Sequence, residues 1–173
     1  MSRLHQRGYA AKMLHLKPRI IVARRSDPDA AFDKPHDKPP RSALVSVAKI
    51  VVWLTEAWYA SFFQEEKKTL LICDRYYHDL LVDPKRYRYG GPLWTAVLVG
   101  KLMPQPSLWI LLDAPAEVLQ ARKQEVPLEE TARQRDAYLA FVRTRRHYLI
   151  VDASQALEKV IADVEQAVTR KVS

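Results

Sequence analysis

The sequence predicts an α/β protein with a parallel sheet covered by helices on both faces, a three-layer arrangement. Three short apolar runs carry this reading: Thr69–Cys73 (TLLIC), 108–112 (LWILL) and 148–151 (YLIV). Runs of this length with polar flanks have the composition of strands buried on both faces. Stretches of helical length separate them, and strands alternating with helices form βαβ units whose strands run parallel. The chain has 173 residues, a length that suits one domain, and 1–173 is read as a single domain.

Taken in order, 4–7 reads as the last turn of a helix with Gly8 just past its end, and 9–16 (YAAKMLHL) as a strand. From Pro18 to Ser42 runs a loop-rich connection with Pro28, Pro35, Pro39 and Pro40 among four aspartates. A long helix over 42–66 follows, with Val47, Ile50, Val51, Leu54, Trp58 and Phe62 at helical spacing. After the TLLIC strand, Gly90-Gly91-Pro92 opens a helix to about Lys101, and Pro104 and Pro106 close it. Beyond the LWILL strand a helix spans 114–124, and Pro127 precedes a charged helix over 128–146. Ser154, after the YLIV strand, is the expected N-cap of a final helix to about Lys171.

The formal charge is +8, yet seven Lys/Arg and no Asp or Glu lie in residues 1–26, and the remainder holds 21 basic against 20 acidic residues. The excess belongs to the first segment, so nucleic acid is not the expected partner. The segment reads as a lining for an anionic ligand, with Arg24 and Arg25 as substrate-binding residues. An organelle-targeting peptide is the competing reading, weakened by the break at Gly8. No apolar run approaches the roughly 20 residues of a membrane helix, so no membrane span is expected. One cysteine, Cys73, excludes a disulfide framework and fits a reducing, cytoplasmic setting. Cys73 itself reads as core, and His78 as structural.

In open parallel sheets ligands bind beyond the carboxyl ends of the strands. Asp74 follows TLLIC there, and Asp113 follows LWILL. Asp74 can hold a metal or activate a hydroxyl while Arg75 clamps a phosphate with its forked donors. An ordinary strand-end ion pair is the other reading. Arg122, Arg133 and Arg135 flank the 124–127 hinge, so 122–135 reads as a lid able to close over a phosphoryl group. A solvated helix with internal pairs such as Glu129–Arg133 is again the alternative. Lys85, Arg86 and Arg88 interleave with Tyr87 and Tyr89, which suits either an acceptor-binding loop or tyrosines packed on the sheet edge.

Together LLICDRYY (70–77), LWILLDAPAEVLQARK (108–123), ETARQRDAYLAF (130–141) and YLIVDAS (148–154) resemble the thymidylate kinase family of P-loop nucleoside monophosphate kinases. The resemblance covers most of residues 60–165. It implies Asp74 and Arg75 as catalytic residues, with Asp74 near magnesium and Arg75 on the acceptor phosphate. Tyr76 and Tyr77 become substrate-binding residues, and Arg122, Arg133 and Arg135 cover the donor phosphates. Mg2+ and ATP are the implied cofactors, a nucleotide or other phosphorylated small molecule the implied partner, and a homodimer is left open.

The family's phosphate-binding loop, G-x-x-x-x-G-K-[S/T], is absent from this sequence. Its four glycines are Gly8, Gly90, Gly91 and Gly100, and the one Gly-Lys pair, Gly100-Lys101, is followed by Leu102. Without that loop the chain is expected to be inactive as a kinase and to hold neither ATP nor Mg2+ tightly. The family's strand before the loop is the central one of five, so its loss is expected to leave two half-sheets with unpaired inner edges. An N-terminally shortened kinase is one account. A degenerate homologue acting as a non-catalytic anion- or partner-binding module is the other. The long helix also lacks the arginine that usually faces the nucleotide, which argues against thymidine monophosphate as acceptor.

Overall fold

The computed structural model describes residues 10–14, 39–62, 69–122, 124 and 126–172. Arg24, Arg25, the expected helix end at 4–7, Gly8 and most of the 18–42 connection lie outside the described residues. In chain order the elements are β1 (Ala10–Leu14), α1 (Ala43–Phe62), β2 (Thr69–Cys73), α2 (Asp79–Val82) and α3 (Leu93–Leu102), then β3 (Trp109–Asp113), α4 (Ala116–Arg122), α5 (Leu128–Arg143), β4 (Tyr148–Asp152) and α6 (Leu157–Val172).

The protein is thus a mixed α/β chain with parallel strand pairing. Among the described residues β1 pairs with β2 from Ala10↔Thr69 to Leu14↔Cys73. Likewise β3 pairs with β4 from Trp109↔Tyr148 to Asp113↔Asp152. These are two sheets of two strands each. The strands expected to be fully buried are only half-buried along β2, and Leu112 of β3 is 52% exposed. Among the described residues each of these strands is flanked on one side only, which leaves more of it uncovered. The chain divides into two compact units, one spanning Ala10–Pro104 and one whose described residues lie within Gln105–Ser173.

In the Ala10–Pro104 unit, α1 contains neither Gly nor Pro, and it buries Ser46, Ile50, Trp53 and Ala57, spaced as one helical face. Its valines and isoleucine are indifferent helix formers, so packing rather than propensity holds it. That face meets Tyr77, Leu80, Tyr89, Ala96, Val99 and Met103 in one core. The Trp53 and Tyr77 rings meet edge to face at 5.5 Å. Tyr77 Oη donates to the Ala96 carbonyl at 2.9 Å, and Trp58 Nε1 donates to the Leu102 carbonyl at 3.0 Å, tying α3 to its neighbours. Gly100 lies against the Tyr77 ring, where a Cβ would come within 3.3 Å of it. It is a helix-packing glycine. The 20 residues of α1 are long and apolar enough to cross a membrane by length and composition alone. One face of it nevertheless forms the core just described.

Burial pushes the phenols of Tyr76, Tyr77 and Tyr87 above their usual value of 10.0. The unfolded chain therefore loses these protons first, and stability present below pH 10 falls as pH rises beyond it. Urea midpoints are expected to drop between pH 9.5 and pH 11, and to drop less in Tyr77→Phe.

In the unit within Gln105–Ser173, α5 packs on β3 and α6 on β4. Buried residues are small: Ala114, Ala116, Val142, Val151 and Val160. The charged helix stops at Arg143, short of the expected 146, because the chain turns there. The Arg145 guanidinium lies 4.0 Å over the Phe141 ring, and Phe141 meets Trp109 edge to face at 5.2 Å. Ser154 does not cap α6, which begins at Leu157; its hydroxyl and N–H bond Asp152 Oδ1 in a turn. Those two bonds hold the Asp152 carboxyl below its usual range.

Candidate functional site

The carboxyl end of β2 delivers Asp74 and Arg75 to the surface, both exposed. Arg75 has φ 66°, in the left-handed region that side chains rarely occupy. This turn redirects the chain from the strand into α2, and the Arg75 guanidinium reaches Asp79 at 3.6 Å. That contact is loose and its arginine side chain is 48% exposed, so the guanidinium can exchange it for a phosphate.

Tyr76 is half-buried and its hydroxyl donates to the Pro104 carbonyl at 2.5 Å. Tyr77, expected to bind substrate, is 0% exposed and belongs to the core. Adjacent residues after a strand point in different directions, and here the second turns inward. His78, 4% exposed, bonds through Nε2 with the Gly100 carbonyl at 3.2 Å, the structural role expected of it. Cys73 is half-buried, and burial raises its thiol pKa. Of the basic loop, Tyr87 lies 5.5 Å from the Trp53 ring and Tyr89 is buried, so the tyrosines pack on helices rather than on a sheet edge.

In the other unit, Asp113 and Asp152 end their strands side by side. Arg135 grips Asp113 with two bonds, Nε to Oδ1 at 2.7 Å and a terminal nitrogen to Oδ2 at 2.8 Å. This forked pairing raises the Arg135 pKa. Arg122 donates to the Ala153 carbonyl at 3.0 Å. Arg133 pairs with Glu130 at 2.7 Å, one turn away, rather than with the expected Glu129. Gln120 ties the hinge down: it donates to the Val126 carbonyl and accepts from the Thr131 hydroxyl at 2.8 Å. The segment expected to be a lid is thus fastened to α4, and each of its three arginines already has a partner within the unit.

Among the described residues no three His, Cys, Asp or Glu side chains gather as metal ligands. Magnesium fits Asp74 only in the manner that ion tolerates, through a single carboxylate with water and substrate phosphates completing the shell. ATP fits poorly, because neither a glycine-rich cradle nor an unengaged lid arginine is found among the described residues. Sequence reasoning missed α2, whose four residues are too short for a periodic signal. It also missed the Asp113–Arg135 pair, joined across the α4–α5 hinge. No family model and no curated protein matches the chain.

Proposed function

We propose that the chain is a thymidylate-kinase-like phosphotransferase domain without a donor-phosphate loop, which recognises a phosphorylated acceptor and does not itself transfer phosphate. The strand pairing carries this reading: β1 with β2 and β3 with β4, each parallel. Those are the pairs a five-stranded sheet of that family keeps when its central strand is taken away. Asp74 and Asp113 then stand at the strand ends where such sheets bind ligands. Arg75 clamps the acceptor phosphate, exchanging its contact with Asp79 for a charge-assisted bond. Asp74 would hold a magnesium ion, which when bound would neutralise phosphate charge. Tyr76, whose hydroxyl is held by the Pro104 carbonyl, follows Arg75 directly in the chain.

One observation favours the second reading, a non-catalytic anion- or partner-binding module. Of the three arginines needed to neutralise a donor, Arg135 and Arg133 are themselves paired with Asp113 and Glu130, and Arg122 is held by the Ala153 carbonyl. Titration calorimetry separates the possibilities. A nucleoside monophosphate is expected to bind through Arg75, and magnesium–ATP to give no heat at millimolar concentration. Micromolar ATP affinity would sink the reading of a loop-less kinase domain. Monophosphate binding that is indifferent to Arg75 selects the module.

A further inference from the structure

Three cations of the Ala10–Pro104 unit come from separate segments and are drawn together by the backbone. The Arg41 N–H donates to the Arg88 carbonyl at 2.9 Å, and Arg88 Nε donates to the Pro39 carbonyl at 2.9 Å. The Gly90 N–H donates to Ser46 Oγ at 3.0 Å, which lays the chain after Arg88 along the start of α1. Lys49 stands one turn beyond Ser46 and so shares that side of the helix. Arg41, Lys49 and Arg88 are all half-buried. Among the described residues none of them forms an ion pair with a carboxylate.

Such a grouping is unfavourable by itself. Burial first, then the charges of Arg41 and Arg88, hold the Lys49 ammonium below its usual pKa of 10.5. The backbone is committed to the arrangement all the same. Arg88 is kept at φ 51°, a left-handed conformation, and a Cβ on Gly90 would meet the Arg41 carbonyl oxygen at 2.0 Å. Strain and like-charge repulsion held at one place by surrounding structure mark a site that a bound anion would relieve.

We propose that Arg41, Lys49 and Arg88 form a binding site for a phosphate-bearing small molecule, the two guanidinium groups supplying forked donors and Lys49 a point charge. The assignment goes beyond the kinase reading, which uses Arg75, and stands whether or not that reading holds.

Thermal unfolding in pyrophosphate, with ionic strength held constant by chloride, tests it. At tenfold excess over its dissociation constant pyrophosphate is expected to raise the Tm by about 3 °C. Lys49→Met keeps the aliphatic stem and removes the charge. It should melt above the unsubstituted protein without ligand and lose the pyrophosphate shift. Arg41→Gln should lose the shift as well, which covers the case of a Lys49 variant that fails to fold. A second basic cluster, Arg146, His147, Arg170 and Lys171 around a cavity of about 300 Å³, serves as the control. Arg170→Ala is expected to keep the shift. The proposal is overturned by a shift that survives Lys49→Met and Arg41→Gln, by loss in Arg170→Ala alone, or by no shift in the unsubstituted protein.

Discussion

The Arg75→Gly variant is expected to bind a nucleoside monophosphate about 10- to 100-fold more weakly while remaining as stable as the unsubstituted protein, or slightly more so. Both halves follow from the same residue. A charge-assisted bond to phosphate contributes about 1.5–3 kcal/mol, and glycine removes it. Yet Arg75 is held at φ 66°, where a side chain costs about 1–2 kcal/mol that glycine does not incur. Glycine's greater freedom in the unfolded chain returns about 0.5–1 kcal/mol of that gain. The exposed contact with Asp79 at 3.6 Å adds little to stability. Urea unfolding and calorimetric titration, run side by side, read the two quantities. A variant that binds normally and unfolds more easily would show that Arg75 serves only the turn.

The Gly90→Ala variant is expected to lose about 3 kcal/mol of stability. A methyl group there would sit 2.0 Å from the Arg41 carbonyl oxygen and 3.3 Å from the Pro40 side chain. The first neighbour is backbone, fixed by the Arg41 N–H bond to Arg88, so it cannot step aside as a flexible side chain would. Moving residue 90 outward also breaks its bond to Ser46 Oγ, a hydroxyl buried to 1% exposure. Leaving that group unsatisfied costs a further share of the total. Denaturant midpoints of Gly90→Ala and Ser46→Ala give the size of each contribution. A Gly90→Ala loss under about 1 kcal/mol would mean the chain here yields more readily than its contacts indicate.

The strands were legible because apolar runs with charged flanks are local signals. TLLIC was placed to the residue, and LWILL moved by one position because Asp113 joins the ladder opposite Asp152. Helix lengths were legible where glycine or proline punctuates them, as at Pro92 and Pro127. They were overrun at Arg143, where the stop comes from Arg145 turning back onto Phe141, a contact no spacing announces. Tyr77 shows the same limit. Its neighbours Asp74 and Arg75 point to a site, but only the packing of α1 and α3 decides that Tyr77 faces inward. The grouping of Arg41, Lys49 and Arg88 depends on two loop segments meeting; spacing offered Arg88 as part of an acceptor-binding loop but gave no signal that joins it to Arg41 and Lys49. Whether the helices form three layers over one sheet was expected from alternation alone; what stands is the mixed α/β chain with two parallel pairs.

Those pairs bear on how the chain meets other polypeptides. Every strand in them is five residues long. Because outward main-chain groups alternate, an incoming strand would gain roughly four to six hydrogen bonds, each worth about 1 kcal/mol net. Association in solution costs on the order of 4–15 kcal/mol, so the two nearly cancel. Complementation by a free peptide is therefore weak, and the same strand covalently attached would dock readily. Brevity of the ladder also blunts edge-to-edge growth. Among the described residues each pair has unpaired edges, and ladders this short would favour a tethered strand over a free one.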